Sequence, residues 1–148
     1  MVPMPRLSLP RGAKAFRLLT DAGRAYAVDG AIVRSRLDVE FIGGGHPLWR
    51  RYVPAGELWI EQRLRGTDGG CILAHEMIEW LLMRSKGYTY ERAHDYANDL
   101  EADIRRGILE KERLEGLMDI CRVHVRRFFK SGAEPFADGI ARAVVKWP

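Results

Sequence analysis

The chain has 148 residues, of which 47% are apolar and 30% charged, with a net charge of +4. That length suffices for one domain that buries its own core, and the fractions are those of a water-soluble globular protein. No apolar run approaches the roughly 18 residues a membrane helix needs. Met1 to Pro10 carries three prolines and no apolar h-region, so neither a signal peptide nor a membrane partner is expected and the location reads as cytoplasmic.

The charge is unevenly placed. Residues 1–67 hold 11 basic and six acidic side chains, residues 68–119 hold seven and 12, and residues 120–148 hold six and two. Cys71 and Cys121 fit no metal or redox spacing and read as buried free thiols.

In chain order, Ala13 to Asp21 predicts a short helix stopped by Gly23. Asp29-Gly30, between the β-prone runs Arg24–Val28 and Ala31–Arg34, predicts a tight hairpin turn. Leu37 to Ile42 alternates like a half-buried strand, and Gly43-Gly44-Gly45 breaks it before His46-Pro47. Arg51 to Pro54 and Glu57 to Gln62 are further strand candidates.

From Gly69 the apolar period changes from two to about 3.6. A helix is predicted over Cys71 to Ser85, closed by Gly87. A second follows from Tyr90 to Arg106, capped by Thr89, a third from Ile108 to Lys130, and a last short one from Glu134 to Val145. The fold class is α+β in a single domain, residues 1–148: a small antiparallel sheet, then a helical hairpin and C-terminal helices.

The chemistry lies in His75-Glu76-Met77-Ile78-Glu79, which reads H-E-x-x-E. Residues four apart share a helix face, so His75 and Glu79 can grip one ion, with Glu76 beside them. Ile72, His75, Glu79 and Leu82 form one stripe; Tyr90, His94, Ala97, Glu101 and Ile104 form another. Each apolar stripe is interrupted by one His and one Glu. An unpaired buried carboxylate costs several kcal/mol, so it is paired, protonated or given a metal. Two His and two Glu on facing stripes point to a shared centre that would neutralise a divalent cation. That charge balance does not single out zinc over iron or manganese.

The H-E-x-x-E run resembles the H-E-x-x-H signature of zincin metallopeptidases. Glu101 lies 26 positions after His75, close to the spacing of the third ligand in the Glu-type members. The resemblance implies a zincin-like core with His75 and Glu101 as ligands and Glu76 as the base acting on a metal-bound water. Glu79 stands where zincins have the second His, and His94 is either a further ligand or an orienting partner. Glu57 to Gln62 takes the place of the strand that lines the substrate cleft. More narrowly, "GELWIEQRL", "HEMIEWLLM" and "YTYERAHDYANDLE" resemble a family of small uncharacterised bacterial, archaeal and phage proteins of zincin-like character, over about residues 40–106. The implied activity is hydrolysis of an amide or peptide bond, with a peptide or protein as substrate.

Other readings compete. H-E-x-x-E alone can be a surface His with two solvated Glu, and His94 with Glu101 a buried ion pair. His46 reads as a turn residue after three glycines. His124, among Arg122, Arg126 and Arg127, reads as part of a solvated face, as do Asp95, Asp99 and Asp103. A di-iron bundle needs a second Glu-x-x-His beside Glu91-x-x-His94, and none exists. A magnesium pyrophosphohydrolase needs a Glu-x-x-Asp after Glu76-x-x-Glu79, and none is present. A non-catalytic module is the rival class, with a structural metal or a buried His/Glu cluster and basic flanks that touch nucleic acid or a protein partner. Val123, Val125, Phe128 and Phe129 look like core, and no named nucleic-acid motif is present. The sequence gives no oligomeric state.

Overall fold

The structure is a computed structural model and describes residues 18–20, 23–107, 113–130 and 132–148. Four strands, β1 (Leu18–Thr20), β2 (Gly23–Val28), β3 (Gly44–Gly45) and β4 (Glu57–Glu61), form one sheet in the order β1-β2-β4-β3. Five helices accompany it among the described residues: α1 (Gly30–Arg36), α2 (Gly66–Lys86), α3 (Tyr90–Gly107), α4 (Leu114–Arg126) and α5 (Ala133–Lys146). The class is α+β, as expected. No helix among the described residues is long and apolar enough to cross a membrane.

The sheet is mixed rather than antiparallel. β2 pairs with β1 and β3 with β4 in antiparallel fashion, but β2 runs parallel to β4, Arg24 opposite Glu57 through Val28 opposite Glu61. A parallel pair needs a long crossover, and α1 with the loop after it supplies one. The expected hairpin at Asp29-Gly30 is therefore absent. Asp29 instead caps α1: its carboxylate accepts the Ala31 N–H at 2.9 Å, and its carbonyl accepts from Ile32 and Val33. Asp before Gly serves a helix start as well as a tight turn, and β2 pairs with β4 rather than with the residues just after Gly30.

The expected helix over Ala13 to Asp21 lies partly outside the described residues, and its residues 18–20 are strand β1, turning back onto Gly23–Ala25. Leu37 to Ile42 and Arg51 to Pro54 are turns, not strands. The Asp38 carboxylate organises the first of them, accepting from Glu40 N–H, from Arg50 at 2.8 Å and from the Tyr52 hydroxyl at 3.0 Å. Phe41 is buried beneath, while Val39 and Ile42 point outward.

β4 is covered on both faces. Leu58 and Ile60 join the main core with Leu73, Met77 and Leu100 from the helices. Trp59 faces the other way, into a smaller cluster with Val28, Val33, Phe41 and Val53. That alternation is the period of two of a strand; the sheet is a middle layer between α1 with its loop and the α2–α5 helices. α2 is the central helix, packed on α3, α5, β3 and β4. Its C-terminus ends at Gly87 in the left-handed conformation, φ 63°, as the sequence indicates. At its N-terminal end a side chain at Gly70 would drive into the Val144 carbonyl of α5.

α2 and α3 form the expected hairpin, and Thr89 Oγ1 accepts the Arg92 N–H at 3.4 Å. The expected third helix is described over Leu114–Arg126, its first residues 108–112 lying outside the described set, and the last is Ala133–Lys146. The facing of α4 differs from expectation by one position: Val123 is exposed, whereas His124 is buried and bonded through Nε2 to Asp103 at 2.6 Å. Asp95 and Asp99 do face water. Cys71 and Cys121 are buried and free.

Candidate metal centre

Three elements meet over a cavity of about 200 Å³. α2 supplies His75, Glu76 and Glu79, on one side because Glu79 lies four residues from His75 and three from Glu76. α3 supplies His94 and Glu101, two turns apart. The loop leaving β3 supplies His46. This last placement depends on Gly44, where a β-carbon would lie 2.9 Å from the Trp59 carbonyl oxygen and 3.0 Å from Glu76 Cγ. Only glycine lets the strand slide against both β4 and α2.

Glu79 is the hub. Its Oε2 lies 3.0 Å from His75 Nε2 and 2.8 Å from His94 Nδ1, and those two nitrogens are 3.1 Å apart. Its Oε1 lies 2.8 Å from His46 Nε2. Glu79 and His46 are almost fully buried. Three imidazoles thus converge on one carboxylate. Burial alone would raise that carboxyl, but hydrogen bonds from His46, His75 and His94 outweigh it and hold the group at about 2.

Glu101 stands behind His75 rather than beside its inward nitrogen. Its Oε1 is 3.1 Å from His75 Nδ1, a charge contact outside good hydrogen-bond alignment, and its Oε2 accepts from Arg105 Nε at 3.0 Å. Burial would lower the His75 imidazole; Glu101 and then Glu79 reverse this and carry it to about 10. Glu76 lines the cavity with no hydrogen bond or ion pair among the described residues. Burial first, and the charge of Glu79 second, push its carboxyl up to about 8.

These contacts leave too few protons to go round. With a proton on His75 Nδ1 toward Glu101, the lone pair on Nε2 meets the lone pairs of Glu79 Oε2 and is flanked by His94 Nδ1. Two species relieve that conflict: a second proton on His75, or a cation. Two triads lie within ligand reach, His75 with Glu79 and His94, and His46 with Glu76 and Glu79. A tetrahedral zinc with bonds of about 2.0–2.1 Å sets its ligands about 3.3–3.4 Å apart, so a small outward shift of the first triad admits one. His and Glu residues on α2 and α3 therefore make a candidate metal site, with the identity of the metal open.

Of the residues singled out in the sequence, His75, Glu79 and His94 come together in one triangle, Glu76 lies alongside, and Glu101 sits one residue removed. The sequence reading missed His46. Its only local signal was the glycine tract before it, which marks a close backbone approach as well as a break. At the mouth, Trp49 stacks on Tyr90 with ring centres 3.8 Å apart, and Tyr90 in turn lies over His94. No nucleophilic cysteine competes: burial pushes the Cys71 thiol up to about 11 and that of Cys121 up to about 12.

The chain matches no family model, no curated protein and no solved structure. What the site does rests on its own geometry.

Proposed function

We propose that this protein is a metal-dependent hydrolase with zincin-like chemistry, cleaving an amide or peptide bond in a peptide or protein substrate. The observation that carries the reading is the triangle of His75 Nε2, His94 Nδ1 and Glu79 Oε2, with edges of 2.8 to 3.1 Å at the floor of an open cavity. Two imidazoles and one carboxylate lining a cavity make a donor set that would suit a catalytic zinc or a ferrous ion. Zinc is the first expectation, iron and manganese the alternatives.

A divalent ion there supplies Lewis acidity and makes water a nucleophile near neutral pH. The protein's part is distributed among named groups. His75, His94 and Glu79 fix the position; Glu101, backed by Arg105, holds the far side of the His75 ring and keeps its Nε2 turned inward. This makes Glu101 a partner of a ligand, where the zincin resemblance implies a ligand, and gives His94 the ligand role, one of the two the sequence left open. Glu76, which lines the same cavity without a bond of its own, would take a proton from water and return it to the leaving amine.

The rival reading is a structural ion or a buried His/Glu cluster without catalysis, in a protein that binds nucleic acid or another protein through its basic flanks. Arg122 and Arg126 already pair with Asp138 and Glu134, which reduces the free charge on offer to phosphates. Glu76→Gln separates the two readings. The hydrolase reading expects full metal content and loss of cleavage of a peptide library; the structural reading expects no cleavage from the wild type either. Elemental analysis of protein purified without chelator tests the ion itself: about one per chain, absent in His75→Ala and His94→Ala.

A further inference from the structure

The Glu79 carboxylate belongs to two triads at once, and distance alone would let each hold an ion. The second triad uses the other oxygen, Oε1, with His46 and Glu76. Two features of the site decide against a second ion. The first is a tautomer. The Leu48 backbone N–H donates to His46 Nδ1 at 3.2 Å. A ring nitrogen that accepts a hydrogen bond carries no proton, so the single N–H of this imidazole is on Nε2. Nε2 faces Glu79 Oε1 at 2.8 Å; it donates there and has no lone pair to offer a metal. A ligating histidine is wired the other way, with its outer nitrogen turned to an acceptor; Nδ1 of His75 has the Glu101 carboxylate 3.1 Å away.

The second feature is charge. Even with both ionised, Glu76 and Glu79 match only one divalent ion, and Glu101 is taken by Arg105. A second dication beside these buried side chains would be uncompensated, which burial penalises heavily.

We propose that His46 is the positioning residue of a single-ion centre: its Nε2–H holds Glu79 Oε1, so that Oε2 is turned toward His75 and His94. The inference rests on the metal-site reading above and deepens it. His46 is fully buried, and among the described residues Oε1 has no other hydrogen-bond partner. Freed of His46, the carboxylate can rotate about its last bond and lose the shared edge with the two imidazoles.

Histidine-selective ¹⁵N labelling tests this directly, because the chain has only four histidines and single substitutions assign them. Long-range ¹⁵N–¹H spectra are recorded without metal and with one equivalent of Zn²⁺. The expected result is a protonated Nε2 on His46 in both states, with the metal-induced shift confined to His75 and His94. Alongside, Zn²⁺ affinity should fall about 10- to 100-fold in His46→Ala with one ion per chain retained. His46→Gln, whose amide N–H replaces the donor, should recover most of that loss, and unfolding of the apo forms separates affinity from folding. A metal shift at His46 Nε2 overturns the proposal. So does a second equivalent in the wild type that vanishes in His46→Ala, or an unchanged affinity in that variant. A wild type that folds yet takes up no ion removes the centre itself, an outcome distinct from one that loads normally and is indifferent to His46.

Discussion

Two buried histidines in this protein meet carboxylates in opposite ways. At the seam of α3 and α4, His124 meets one Asp103 oxygen at 2.6 Å and Arg106 bonds the other at 2.8 Å, so each carboxylate oxygen has its own donor. Under the β3 loop, Glu79 faces three imidazoles, and His75 is pressed between two carboxylates. The first contact joins helices. The second has more acceptors than protons to share and opens on a cavity. A buried histidine beside an acid is thus no sign of a site in itself; the sign is an unbalanced donor count next to space for a ligand.

Removing the hub is the strongest way to break the contrast. Glu79→Ala should abolish stoichiometric metal binding and cost the apo protein about 3 kcal/mol, because the partners of a buried polar group are left unpaired. Elemental analysis and denaturant unfolding check both parts; a variant that keeps its ion would show that Glu79 is not the hub.

The pH response comes next. With its imidazole at about 10, His75 carries a proton at neutral pH that metal must displace. Apparent affinity should rise about tenfold per pH unit between pH 6 and 9, with about one proton released, read by calorimetry in buffers of different ionisation enthalpy. The apo protein should behave in the opposite sense. A raised His75 stabilises the fold fully below 6.5, and that contribution is lost as pH rises toward 10. A raised Glu76 loses stability in the same direction, from 4.5 to about 8. Glu79, lowered to about 2, contributes above 4.5 and is lost only in acid. Apo stability should therefore decline from pH 6.5 to 9; a flat profile contradicts the charge arrangement.

Glu101→Gln sharpens the division of labour within the centre. It should weaken metal binding about 10- to 100-fold and leave one ion per chain. Complete loss of the ion would return Glu101 to the ligand set. The smallest expected effect is at the other pair: His124→Ala should cost about 2 kcal/mol in unfolding free energy, from one hydrogen bond and lost packing, and leave the metal content at the wild-type level.

How much was legible in the sequence depends on how local each feature is. The i, i+4 placement of His75 and Glu79 needs nothing but a helix, and the break at Gly87 and the cap at Thr89 need nothing but their neighbours. The second stripe, Tyr90 to Ile104, was equally readable. β4 was legible because Leu58, Trp59 and Ile60 stand between charged ends. Asp29-Gly30 was misread because the same two residues suit a tight turn and a helix start, and the partner of β2 lies some thirty residues on. Leu37 to Ile42 alternated convincingly, yet Asp38 gathers Arg50 and Tyr52 and winds the segment into turns.

The sequence by itself determined that this protein places two His and two Glu on the apolar faces of a helical hairpin, since helix periodicity is a property of the chain. Tertiary structure alone decided which of them converge. His94 and Glu101 share one stripe seven residues apart, and only the packing of α3 on α2 puts His94 against Glu79 and Glu101 behind His75. His46 comes from another layer altogether. It reaches Glu79 because β3 pairs with β4 and Gly44 lets that strand lie close to α2, and no local pattern encodes a contact that depends on how sheet and helix meet.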